Sequence, residues 1–255
     1  MERAATQGVA SAQSDLGVMY QYGIGVTQSD VEAVKWFERA AQQGNAPAET
    51  NLGFMYAKGR GIKKDSSQAV TWTRKAADQG YAVAQMNLGT MYREGDGVQA
   101  DLVEAAKWLE LAAKQDSQEA EFLLGITYLA ESPPTNDGKA IEWLQRASRR
   151  GEAKAKTLLD MLTRDSVGSD PNLSLSQLRT GADQGRPDAQ RKLGSFLILA
   201  QDSTSAYMWL TIAADRGDEQ SKKLLKLLPG AGMIDKKQID EAKRRAKDWE
   251  KDHRH

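Results

Sequence analysis

The chain of 255 residues contains no cysteine. Disulfides, thiolate nucleophiles and Cys-ligated zinc are therefore excluded. The compartment stays open, because a protein of this size holds together without bridges. Histidine is almost as scarce. Its two copies, His253 and His255, sit at the extreme C-terminus, and a pair on a terminal tail builds neither a buried triad nor a metal site by itself. There is no surplus of either charge: 35 Lys and Arg balance 35 Asp and Glu. This balance argues against a nucleic-acid binder, which needs extra cations to displace counterions from phosphates, and against a surface drawn to anionic lipid. No apolar run approaches the roughly 18–20 residues that cross a bilayer, so membrane insertion is not expected. Met1 is followed at once by polar and small residues, so the chain as given reads without a signal peptide. No serine is followed three residues later by lysine, so the S-x-x-K nucleophile is missing. Carboxylates are plentiful, but no spacing singles out a pair, and a solvated surface accounts for them. The sequence carries no enzyme signature and calls for no cofactor and no metal. With 40% hydrophobic and 27% charged residues, what remains is a packed soluble protein.

What the sequence has is a repeat. Ala12, Ala48 and Ala84 recur at 36-residue intervals. After Ala12 come Leu16-Gly17, Tyr20, Gly23, Gly25-Val26, Asp30, Ala33, Trp36, Ala40-Ala41 and Gly44. After Ala48 come Leu52-Gly53, Tyr56, Gly59, Gly61-Ile62, Asp65, Ala69, Trp72, Ala76-Ala77 and Gly80. After Ala84 come Leu88-Gly89, Tyr92, Gly95, Gly97-Val98, Asp101, Ala105, Trp108 and Ala112-Ala113. Weaker copies start at Ala120, Ala155 and Ala189, and the last has a shortened loop. A constant period of this kind is the signature of a repeat architecture.

One unit is readable as two helices. Ala12, Leu16, Gly17 and Tyr20 share one helical face. A glycine on that face, Gly17, lets a neighbouring helix approach closely. Gly23 and Gly25 end the first helix and supply the positive φ of a tight turn. Asp30 or Asp65 is placed to cap the second helix. The helix–Gly-x-Gly order, with no third glycine and no preceding strand, argues for a turn over a phosphate loop. Ala33, Trp36 or Phe37, and Ala40 give the second helix its apolar stripe, and the Trp36, Trp72, Trp108, Trp143 series is expected in the core. Neither helix buries its stripe alone, whereas stacked copies do.

This pattern resembles the Sel1-like repeat family, a relative of the tetratricopeptide repeats. The resemblance implies an all-α fold: a right-handed α-solenoid of about six helix-turn-helix repeats, with starts near 12, 48, 84, 120, 155 and 189. It is most specific over residues 12–116 and thinnest over 155–187. Residues 1–11 match the second helix of a preceding repeat, as if the chain were trimmed from a longer protein, and residues 12–228 carry the repeats. Residues 229–255 read as a capping helix and tail, with a capping box from Asp235 to Gln238 and a stripe of Ile239, Ala242, Ala246 and Trp249. Members whose helix pairs are stapled by disulfides are a subgroup from which nothing carries over to a cysteine-free chain.

On the first helix of each unit, the positions opposite the core stripe line the concave groove of tetratricopeptide-like folds. Here they hold Tyr22, Phe54, Met86, Thr90, Arg93, Phe122, Ile126, Met161 and Arg164. Apolar side chains on a face that should be wet, rimmed by arginine, mark a protein-binding strip. Packing of adjacent first helices on each other is the competing explanation. Phe54 and Phe122 are the strongest expected anchors. The resemblance implies a non-enzymatic module holding a protein partner, as adaptors and scaffolds do. Some bacterial members look like immunity proteins that neutralise lipase effectors of type VI secretion, which would make the partner a secreted toxin. A β-lactam- or peptidoglycan-interacting hydrolase is the remaining alternative, without a nucleophile to support it. The sequence leaves the oligomeric state open. A trimmed export signal would place the protein in the periplasm, and otherwise the cytoplasm is expected.

Overall fold

Each copy of the period folds as a helical hairpin. The computed structural model describes residues 2–130, 136–163 and 171–253. All regular structure among them is helical, and the chain divides into two units, residues 1–124 and 125–255. In the first unit, α1 (Glu2–Thr6) precedes three hairpins: α2 (Ala10–Tyr22) with α3 (Asp30–Ala41), α4 (Ala46–Lys58) with α5 (Ser66–Asp78), and α6 (Ala82–Glu94) with α7 (Leu102–Ala113). Helix α8 (Gln118–Ala130) starts there and runs into the second unit. That unit continues with α9 (Asp137–Arg149), α10 (Ala153–Thr163), α11 (Pro171–Asp183), α12 (Pro187–Leu199), α13 (Ser203–Asp215), α14 (Glu219–Gly230) and α15 (Lys236–Asp252).

The Leu-Gly pair closes the hairpins that carry it. Leu52 and Leu88 are fully buried, and the following glycine meets the partner helix. A Cβ on Gly53 would lie 2.5 Å from Thr73 Oγ1, and one on Gly89 2.7 Å from Leu109 Cγ. The same crowding recurs at Gly17 against Phe37 and at Gly194 against Leu210. Only a residue without a side chain fits there.

The connecting loop has two glycines with different duties. Gly59 is the left-handed cap of α4, at φ 67°, and its N–H donates to the Met55 carbonyl. Gly61, also at positive φ, faces the preceding repeat: a Cβ there would overlap the Asp30 carbonyl at the start of α3. Gly97 stands against the Ser66 carbonyl in the same way. The second glycine is thus an inter-repeat contact. The loop ends with a backbone bond to the first helix: Ser29, Asp65 and Asp101 N–H groups donate to the carbonyls of Tyr20, Tyr56 and Tyr92.

These three residues are also the N-caps. Asp65 Oδ1 accepts from Gln68 N–H at 3.0 Å, and Asp101 Oδ1 from Glu104 N–H at 3.0 Å. In the first repeat the expectation of Asp30 as the cap is corrected. Ser29 is the cap, its Oγ accepting from Glu32 N–H at 3.3 Å, and Asp30 is the first helical residue. Its carboxylate is released to hold Arg60 of the next repeat through two bonds of 2.9 and 2.8 Å.

The tryptophans are only partly a core series. Trp108 is buried. Trp36 and Trp72 are half-buried and pack at the edges of their clusters. The cation three residues on covers each ring: Arg39 over Trp36 at 4.5 Å and Lys75 over Trp72 at 4.0 Å. Trp143 is covered likewise by Arg146 at 5.2 Å.

In the second unit, α12 and α13 join through three residues, Ala200–Asp202, with Gln201 at φ 59°. Asp202 caps α13 by accepting from Ser205 N–H. Helix α15 opens with the expected capping box of Asp235 and Gln238. It packs its stripe on α13, with Ala242 and Ala246 buried and Trp249 edge-on to Trp209 at 5.6 Å.

Candidate protein-binding face

The residues expected to line a groove separate into three groups. On the first unit, Tyr22 and Phe54 are 65% and 39% exposed. Met86, Thr90 and Arg93 are half-buried on α6. Phe54 and Thr90 occupy the same register of successive first helices, and α4 touches both α2 and α6. The Thr90 hydroxyl donates to the Met86 carbonyl at 3.0 Å, so it is engaged within its own helix. Arg93 reaches Glu94 at 3.4 Å.

Phe122 and Ile126 are buried, at 2% and 0% exposure, and the expectation that they face a partner is corrected. For Phe122 the reason lies in the register. Ser14 and Thr50 precede Phe122 at the same position of their repeats, and both are buried as well. The Thr50 hydroxyl folds back onto the Ala46 carbonyl at 2.8 Å. That row, in which Met86 also stands half-buried, belongs to the packed interior, whereas Ile126 shares the register of the exposed Phe54 and is buried all the same, so the free face is narrower than a helical wheel suggests. The small residues at 14 and 50 were the available signal, since a row of them marks a close approach. In the second unit, Met161 lines a cavity of about 400 Å³ with Leu178, Lys192 and Phe196. Arg164 lies outside the described residues.

Sequence reasoning missed Arg60. Its guanidinium is fixed by Asp30, and that bond chiefly holds it above its ordinary pKa against the opposing effect of burial, with the Tyr22 phenol group contributing least. The bidentate pair orders this arginine at the surface in advance of any contact. Ile24, 57% exposed, extends the apolar surface beside Tyr22 along the same loop.

Among the described residues, no group of three or more His, Asp or Glu is arranged to hold a metal ion, and no helix is long and apolar enough to cross a membrane.

The repeats have counterparts among known proteins. The Sel1 repeat profile matches residues 10–45, 46–81, 82–117, 118–152 and 187–218. Residues 153–186, where the pattern is thinnest, fall between matches. Among solved structures, the chain is similar to a protective antigen present in uropathogenic Escherichia coli strains that displays an SLR fold, at 32% identity and a TM-score of 0.59. That likeness covers 94% of this chain and 53% of the antigen, so the chain spans about half its length. A Sel1 repeat protein from Oxalobacter formigenes is similar at 30% identity and a TM-score of 0.57, over 81% of this chain and 86% of that one. No curated protein matches the chain.

Proposed function

Because the chain belongs to the Sel1 repeat family, we propose that it holds a protein partner on the first-helix face of its first unit, with Tyr22 and Phe54 as anchors. Sel1 repeats serve in general as non-catalytic modules for protein–protein interaction. The observation that carries the proposal is the exposure of these two aromatic rings, 65% and 39%, on successive first helices, with Arg60 held in place by Asp30 across the same two repeats. Thr90, in the register of Phe54, and Arg93 complete the face. A buried aromatic anchor commonly costs 1–2 kcal/mol or more when truncated. Phe54→Ala and Tyr22→Ala together should therefore weaken the complex roughly tenfold or more, with the fold unchanged by circular dichroism. Unchanged affinity in the double variant would move the interface elsewhere.

The finer reading is an immunity role, in which the partner is a lipase effector of type VI secretion and the solenoid neutralises it by binding. The family resemblance supports it. Co-purification with the product of a toxin gene beside this one, and loss of that toxin's lipase activity in the mixture, is the direct test. A partner that is an ordinary cellular enzyme with undiminished activity would point to the adaptor role instead.

A further inference from the structure

A row of buried side chains joins each repeat to the next, with amides at Gln13, Gln85 and Gln190 and acids at Glu49 and Glu121. Gln13, Gln85 and Gln190 are each 5% exposed or less. Each uses its Nε2 to donate to the backbone carbonyl eight residues earlier, on the preceding second helix: Gln13 to Ala5 at 3.1 Å, Gln85 to Ala77 at 3.3 Å, Gln190 to Ala182 at 3.0 Å. In the first unit the other end of the amide accepts. Gln43 donates to Gln13 Oε1 at 2.7 Å and Gln115 to Gln85 Oε1 at 2.8 Å.

Glu49 stands in this row 36 residues after Gln13, and it is 3% exposed. Gln79 donates to its Oε2 at 2.7 Å, as Gln43 and Gln115 do to their partners. One carboxyl oxygen thus takes the role of the amide oxygen. The other falls where the amide nitrogen stands in the neighbouring repeats, opposite the Ala41 carbonyl by register. A carboxylate there would set one acceptor against another in a buried site. A carboxylic acid would donate, as the amide does.

We infer that Glu49 carries a proton in the folded chain and donates it to the Ala41 carbonyl, so that rising pH loosens the joint between the first two complete repeats. Burial pushes the Glu49 carboxyl above its ordinary range, against the opposing pull of the Lys75 charge and the Gln79 hydrogen bond. Among the helices packed against α4, Lys75 of α5 is the charge acting on it, and its ammonium is drawn over the Trp72 ring. The folded chain holds this proton to a higher pH than the unfolded chain. The joint is therefore complete below the ordinary carboxylate range and weakens as pH rises to the raised value, above which the loss is constant.

Thermal unfolding of the whole chain from pH 4 to 8, for wild type and Glu49→Gln, tests this. The glutamine restores the pattern of the neighbours without a titrating group. At pH 8 the variant should melt about 2–4 °C above wild type, and the gap should close as pH falls. A site-resolved carbon NMR titration should show the Glu49 carboxyl ionising above the exposed glutamates. Parallel melting profiles for the two proteins, or a Glu49 carboxyl that ionises with the exposed glutamates, would overturn the inference.

Discussion

The hairpins α4–α5 and α12–α13 pack their helices alike and turn between them differently. In both, a glycine in the middle of the first helix admits the second: Gly53 against Thr73 and Gly194 against Leu210. Yet the first turn spans residues 59–65 with two positive-φ glycines, and the second spans three residues with none. The long Gly-x-Gly loop is therefore not what makes a hairpin. Its second glycine touches the preceding repeat, so the loop is a coupling between hairpins. The short turn of the second unit gives up that coupling and leaves joining to side chains, such as Arg191 of α12 on Asp218 ahead of α14 at 3.1 Å.

This contrast is sharpest at Gly97. Gly97→Ala would force a Cβ into the Ser66 carbonyl at positive φ, and should destabilise the first unit by about 3 kcal/mol, read by urea unfolding. No residue of the α12–α13 turn should be comparably sensitive. Gly194→Ala and Gly53→Ala come next. They test what the hairpins share, and each should cost about 1–3 kcal/mol because the crowded atoms include a backbone carbonyl. A much smaller loss in one hairpin would break the equivalence. Asp65→Ala and Asp202→Ala remove matching caps and should each cost about 1 kcal/mol. Arg60→Ala should cost no more than about 0.5–1 kcal/mol, and the difference should fade in high salt, because the pair is partly exposed.

A last and smallest test concerns acid. Asp218 is held below its ordinary range despite its burial, by bonds from Ser221 and Arg191. Its contribution is present above the ordinary carboxylate range and is lost as pH falls through the lowered value. Asp218→Asn should therefore lower the melting temperature at neutral pH and converge with wild type in acid, the opposite sense to Glu49→Gln.

Much of this architecture was legible in the chain. The 36-residue period, the glycine at the helix crossing and the Asp235–Gln238 box are local or in-register features, and they follow from residue type and spacing. The misassigned cap at Asp30 came from aligning acids by type. Serine and aspartate cap equally well, and only the loop length decides between Ser29 and Asp30. The binding face was legible in part. A helical wheel finds the direction opposite one stripe but does not know how many neighbours a helix has, so Phe122 and Ile126 read as free while the fold buries them. The Glu49 row, Arg60 on Asp30 and the inter-repeat duty of Gly61 join residues 30 or more positions apart, and a single sequence gives no sign of such pairings.

The tryptophans spread through both units, six in all, make the chain its own optical gauge. Trp108 and Trp209 are nearly shielded from water, whereas the rings of Trp36 and Trp72 lie at the rim under a cation. Indole emission shifts to longer wavelength as water reaches the ring, so opening at one hairpin colours the spectrum differently from opening at another. Retaining one tryptophan at a time, with phenylalanine at the rest, would turn that difference into a map of which hairpin lets go first.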